Sequence, residues 1–232
     1  MNNRQKAILD DIRRFRFMSR DQICTLHFSH LKTEQSKISN CNLTLKRLVD
    51  RGFLKAHKDF TPFIYSLKDS KISSHSQKTL HFTSLVDTYI DMLKYDTPKH
   101  ILTEPKFSEK GSVEPDLFVL WKGSPWFIEK QLSTYTENVM NDKMNRYLDY
   151  YYSGHWKSLE WQPNERKIFP LILLLTDTYY NLPVMPFKIL QVPSIQDLIQ
   201  KYYQPQQAVN QAKRTTSAKY QSSNGQIKIK IQ

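Results

Sequence analysis

The sequence predicts an α+β protein: a small helical module ending in a hairpin, then a larger α/β region built on a mixed sheet. Three observations carry that expectation. Three apolar stripes at helical spacing fill residues 1–52, and two short alternating runs follow them around a turn that contains proline. Further along, helix-like and strand-like text succeed one another as helix, three strands, helix, strand, helix. One of those strands, "KIFPLILLLT", is apolar without alternation, as a strand covered on both faces is. With 232 residues, 39% of them hydrophobic, the chain is long enough to bury a sizeable core.

The first helix is expected in "NRQKAILDDIRRF", where Ala7, Ile8, Ile12 and Phe15 recur at helical spacing. "MSRDQICTLHF" starts a second, with Ser19 as N-cap and Asp21 in the first turn, where an acid suits the helix dipole. "SKISNCNLTLKRLVDRGFL" gives a third, with Leu45, Leu48 and Val49 on its apolar face and Gly52 just past its end. "FLKAHK" and "FIYSL" then flank "DFTP" as a two-stranded ribbon. Three short helices and a hairpin make a winged helix-turn-helix, whose third helix enters a major groove. Its polar residues Lys37, Ser39, Asn40 and Asn42 are candidates for base edges. Lys46 and Arg47, with Lys55, His57 and Lys58 on the wing, are placed for phosphates. The same architecture also serves in protein docking, and charge favours DNA: residues 1–70 hold 14 Lys/Arg against 7 Asp/Glu.

The polar stretch "DSKISSHSQK" sets a boundary near residue 70, giving domains 1–70 and 71–203 and a tail, 204–232. "TLHFTSLVDTYIDMLKY" opens the second domain as a helix with Leu85, Tyr89, Met92 and Leu93 buried. Strands follow at "HILTEPKF", "LFVLW" and "WFIEKQ", the last two paired through "KGSP". "TENVMNDKMNRYLDYYYSGHW" is a helix, and "VPSIQDLIQKYY" closes the domain with a helix capped at Ser194. The charge pattern is uneven: residues 71–200 are nearly neutral, whereas 201–232 carry 6 Lys/Arg and no acid. That tail is expected to be disordered and to bind phosphates without specificity, while its last residues, "IKIKIQ", alternate like an edge strand.

Within "EPDLFVLWKGSPWFIEKQ", two carboxylates stand in apolar text: Asp116 opens one strand and Glu129 lies near the end of the next. Paired across a hairpin, they reach the same end of the sheet. Two carboxylates there suit Mg²⁺ or Mn²⁺, which polarises a phosphate and acidifies a bound water. The alternative is a pair of solvated strand-end residues. Pro115-Asp116 and Glu129-Lys130-Gln131 resemble the PD-(D/E)XK nuclease superfamily, with Gln131 at the place of the expected lysine. A neutral amide supplies no positive charge. Lys143 and Tyr147, four apart on the next helix, are similar to the Gln-x-x-x-Tyr element of some members, and Lys143 is a candidate for the missing cation. The resemblance implies Asp116, Glu129, Gln131 and Lys143 as the catalytic set, with Asp116 and Glu129 as metal ligands. Over residues 4–200 the chain also resembles the replication-relaxation family of plasmids and mobile elements. That resemblance implies a winged helix joined to a nuclease-like domain, and a role in replication, relaxation or transfer.

Other features narrow the field. Five glycines form no phosphate loop, which argues against ATP-driven activity, and no Ser-His-Asp order stands out. His81, His100 and His155 read as ordinary hydrogen-bonding residues, and Tyr147, Tyr150, Tyr151, Tyr152 and Trp156 as helix-on-sheet packing rather than a base-stacking platform. No apolar leader or bilayer-length run is seen, and the two cysteines lack metal spacing, so a reduced, cytoplasmic protein without membrane contact is expected. Three functions stay open: a DNA-binding accessory protein, an Mg²⁺- or Mn²⁺-dependent endonuclease or nickase, and a transcriptional regulator. The expected partners are double-stranded DNA, replication or relaxase proteins, and a second copy of the chain as a homodimer.

Overall fold

The computed structural model describes residues 1–74, 77–107 and 113–203, so the tail and its "IKIKIQ" segment lie outside the described residues. The chain divides into two compact units, Met1–Ile195 and Gln196–Gln232. The first is mixed α and β, with a three-stranded and a five-stranded sheet.

Helix α1 (Asn3–Phe15) and helix α2 (Arg20–Phe28) both begin in a capping box. The Asn2 and Ser19 side chains accept from the backbone N–H of Gln5 and Gln22, and those glutamines reach back to the cap N–H, so orphan donors are satisfied in pairs. Strand β1 (Phe17–Ser19) lies between these helices. Helix α3 (Glu34–Asp50) is capped by Thr33 and buries Cys41, Leu45 and Leu48. It ends at Gly52, whose φ of +74° lets the chain reverse while its N–H donates to the Val49 carbonyl. Strands β2 (Leu54–His57) and β3 (Ile64–Leu67) form the expected ribbon, and β1 joins it antiparallel on the far side of β3, giving the order β1-β3-β2.

Helix α4 (Gln77–Leu93) contacts α1, β1 and α2 and also reaches a strand of the second sheet, Ser124–Lys130. The Phe82 ring stacks on Phe17 with centroids 6.2 Å apart, and Tyr89 lies 5.4 Å from Phe15. The buried Gln22 amide donates to the Thr83 carbonyl (2.8 Å) and to the Asp87 carboxylate (2.7 Å). Because α4 is covered from more than one direction, Phe82 and Val86 are buried with Leu85 and Met92, whereas Tyr89 and Leu93 are only half-buried.

The second sheet comprises β4 (Lys99–Thr103), β5 (Leu117–Trp121), β6 (Ser124–Lys130), β7 (Leu171–Leu175) and β8 (Ile189–Val192), in that order. The pairs β4–β5 and β5–β6 are antiparallel, and β6–β7 and β7–β8 parallel, so the expected mixed sheet is present. The β5–β6 turn is tighter than "KGSP": Lys122 and Gly123 alone form it, both at positive φ, and Ser124 and Pro125 already belong to β6. Helix α5 (Glu137–Ser153) bridges β6 and β7 and lays Met140, Met144, Tyr147 and Tyr150 over Phe118, Phe127, Ile172 and Leu174. Tyr147, Tyr150 and Trp156 are therefore core residues. Strand β8 was not expected and precedes the closing helix, α6 (Ile195–Tyr202). No helix among the described residues is long and apolar enough to cross a membrane.

Gln22→Ala removes a buried cap partner and both bonds to α4. It is expected to lower the unfolding free energy by about 1–3 kcal/mol, read as a lower urea midpoint at unchanged slope. An unshifted midpoint would show that the bonds to α4 contribute nothing net.

Candidate active site and basic surface

The β5–β6 register places Leu117 opposite Ile128, so Asp116, one residue before β5, lies across from Glu129. Both point to the face that α5 covers, because they share strand parity with the core residues Phe118 and Phe127. The Asp116 backbone carbonyl accepts from Glu104 N–H (3.0 Å). Its Oδ2 accepts from the Lys130 backbone N–H (2.7 Å), and its Oδ1 lies 3.2 Å from His81 Nε2 at the start of α4. Glu129 is only 1% exposed. Its Oε1 accepts from the Tyr147 hydroxyl (2.5 Å), and its Oε2 is held by the Lys143 ammonium. Lys143 and Tyr147 are one helical turn apart, which is why a single face of α5 can take both oxygens of one carboxylate.

The electrostatics follow from this crowding. Burial first, and the Asp116 charge second, push the Glu129 carboxyl up to about 7, against the pull of Lys143. For Lys143 burial acts to lower the value, yet Glu129 and Asp116 together outweigh it, and the ammonium is held above its ordinary range. The two shifts agree: one cation serves two carboxylates, and the more buried acid carries the strain. His81 is raised by its hydrogen bond to Asp116, and Tyr147 is raised well above its ordinary value by burial and the Glu129 charge, so it remains a donor.

Gln131 lies two residues after Glu129, just past the end of β6. Its backbone N–H donates to the Leu175 carbonyl (3.0 Å), but its side-chain Nε2 and Oε1 are both buried with no hydrogen-bond partner among the described residues. Such a group costs free energy unless a ligand or water satisfies it.

The donor set does not fit a divalent cation as it is arranged. Each of the four carboxylate oxygens of Asp116 and Glu129 already faces a protein donor, and the donor on Glu129 Oε2 is itself a cation. Among the described residues no group of three or more His, Cys, Asp or Glu side chains is arranged to hold a metal. What the cluster does offer is one acid near neutrality, one ammonium, one imidazole and an unsatisfied amide, gathered at one end of the β5–β6 hairpin.

Of the nine residues nominated for DNA on the first domain, Lys37 pairs with Glu34 (2.5 Å) and Lys46 with Asp50 (2.6 Å). Asn40 donates to the Ser36 carbonyl (2.8 Å), and Ser39 accepts from Gln35 (3.3 Å). Asn42, Arg47, Lys55 and Lys58 are exposed, and none has an ion pair or side-chain hydrogen bond among the described residues. Asn42 and Lys46 on α3, with Lys58, Phe63 and Tyr65 on the ribbon, line a groove of about 570 Å³. His57 does not belong to this surface, contrary to expectation: it is 5% exposed, bonds Ser66 at 2.9 Å and packs its ring 5.6 Å from that of the buried Phe17. His100 packs edge-on against Phe118 and His155 is exposed, whereas His81 enters the acidic cluster that its sequence context did not announce.

A pH dependence follows. Glu129 has an ordinary value of 4.5 and a folded value of about 7, so between these limits the folded chain holds a proton that the unfolded chain has released. Stability is fully present below pH 4.5 and declines as pH rises through about 7. His81, raised above 6.5, adds a decline of the same sign at higher pH. Glu129→Gln is expected to flatten the slope below pH 6.5 in urea unfolding at stepped pH. A variant with the wild-type slope would show that Glu129 does not bind that proton.

Comparison of the chain with family models, with curated proteins and with solved structures finds no match, so the functional reading rests on this geometry.

Proposed function

We propose that the chain is a DNA-binding protein. In this reading the N-terminal helices and ribbon act as a winged helix-turn-helix, and the five-stranded sheet with α4 and α5 acts as a PD-(D/E)XK nuclease-like domain. The observation that carries it is the exposed, uncommitted set Asn42, Arg47, Lys55 and Lys58, spread over one helix and the neighbouring ribbon. An α3 flanked by a β-ribbon matches the width of a major groove with a phosphate strand beside it. The strand order β1-β3-β2 supports the same reading, and the excess of 14 Lys/Arg over 7 Asp/Glu in residues 1–70 supplies the long-range attraction. The resemblance to the replication-relaxation family supports an accessory role in replication, relaxation or transfer of a plasmid or other mobile element. The partners on this reading are duplex DNA, replication or relaxase proteins, and a second copy of the chain.

A second reading, an endonuclease or nickase using Mg²⁺ or Mn²⁺ at Asp116 and Glu129, is favoured by one observation: the unsatisfied Gln131 amide beside Glu129. Incubating supercoiled plasmid with the protein and either ion separates the readings. Unchanged supercoils with a retarded band support binding alone, and nicked or linear products support hydrolysis.

The ion pairs on α3 make the DNA reading quantitative. Arg47→Ala with Lys55→Ala is expected to weaken duplex binding for every sequence. The slope of log K against log salt is expected to flatten by about 0.9 for each phosphate that is no longer neutralised. Lys46→Ala is expected to cost less than Arg47→Ala, because Lys46 is already paired with Asp50. Fluorescence anisotropy across a salt series checks both. Wild-type protein that fails to bind duplex at low salt would end this reading.

A further inference from the structure

The acidic cluster holds more than the DNA-binding reading uses, and its arrangement departs from what two strand-end carboxylates would need to hold a metal. We propose that the Lys143 ammonium is the resident counter-ion of the Asp116–Glu129 pair, seated where a divalent ion would bind, and that removing this amine turns the pair into a Mn²⁺ site.

Three observations carry the proposal. First, the ammonium is seated on Glu129 Oε2, the oxygen of the buried acid left over once Tyr147 has taken Oε1. A divalent ion on that oxygen would stand beside a positive charge in a poorly solvated place, and repulsion there is far stronger than in water. Second, the pair is protected from exchange with solvent: the Lys143 side chain is 19% exposed and Glu129 1%. A side chain on a helix held by Met140, Met144 and Tyr147 in the core keeps its amine in place. Third, the remaining donors are of the right chemistry once the amine is gone. Asp116 and Glu129 are carboxylates, and Gln131 Oε1, two residues past Glu129 and just beyond the end of β6, is a buried amide oxygen with no partner among the described residues. Loss of the amine frees Glu129 Oε2 and removes the one positive charge seated on the pair, and hard oxygen groups with space left for water suit Mg²⁺ or Mn²⁺ and not a soft ion.

The lysine thus does for ground-state charge balance what a metal would do, without opening a coordination position for a water. The cluster of the wild-type protein is closed to divalent ions, and any contact it makes with nucleic acid proceeds without them. This inference needs no DNA and stands or falls independently of the DNA-binding reading.

The experiment is a calorimetric titration of the full chain with MnCl₂ at about pH 7.5, run on wild type, Lys143→Ala, Lys143→Arg and the double variant Lys143→Ala/Asp116→Asn. Lys143→Ala is expected to bind one Mn²⁺ at least about tenfold more tightly than wild type, with a matching rise in melting temperature. Lys143→Arg, which keeps the cation, is expected to behave as wild type, and the double variant to lose the gain. Wild type that binds Mn²⁺ as tightly as Lys143→Ala overturns the proposal, as does Lys143→Ala that binds no better than wild type. Where Lys143→Ala is unfolded in EDTA, its circular dichroism in millimolar Mn²⁺ takes the place of the titration. Recovery of the folded spectrum supports the proposal and an unfolded spectrum overturns it.

Discussion

A carboxylate buried beneath a helix near the end of a strand must find donors for both oxygens, and much of the larger sheet's arrangement answers to that demand. Taking an ionised carboxylate out of water costs on the order of several kcal/mol, and Glu129 is 1% exposed. Its neighbours on the strand, Phe127 and Ile128, have nothing to donate. The donors come from α5, and a helix can present two of them to one carboxylate only if they are a turn apart and the helix axis runs close above β6. Met140 and Met144 supply the apolar contact that holds α5 at that height, and Tyr147 serves both ends of the arrangement, packing against Phe127 and donating to Glu129. A buried ion pair of this kind is weak evidence for stability in itself. Its effect is to specify where α5 sits.

Helix α4 is the second constraint. One end brings His81 to Asp116, and further along Phe82, Thr83, Asp87 and Tyr89 meet Phe17, Gln22 and Phe15 from the first 28 residues. The N-terminal helices and the acidic cluster thus share one rigid element. A residue such as Gln22 is at once a helix cap and a tie to α4, which accounts for a polar side chain at 7% exposure.

Much of this was legible in the sequence. Helices α1 to α5 announce themselves through apolar recurrence, and α2 also through Ser19 at its start, because those signals are local. The Asp116–Glu129 juxtaposition was legible from a hairpin with two acids near one end, and Lys143 with Tyr147 from a spacing of four. Strand β1 was not, since three residues between two helices carry no period, and Phe17 and Met18 are both buried. Strand β8 hides among Pro183, Pro186 and Pro193, which read as breakers. His57 was misplaced because its partners, Phe17 and Ser66, come from other strands and are not marked in its own run. His81 was passed over because its partner lies 35 positions away, and the idle amide of Gln131 is visible only when every neighbour is in place.

The two-residue turn at Lys122–Gly123 has a consequence for how this chain can vary. With both residues at positive φ the turn admits no slack, and it alone decides that residue 116 meets residue 129. Side chains alternate with a period of two, so one residue gained or lost there would bring Ile128 or Lys130 beneath α5 in place of Glu129. The sheet would survive such an edit with its hydrogen bonds intact, and the cluster would not. Length at this turn therefore carries information that its residue types do not.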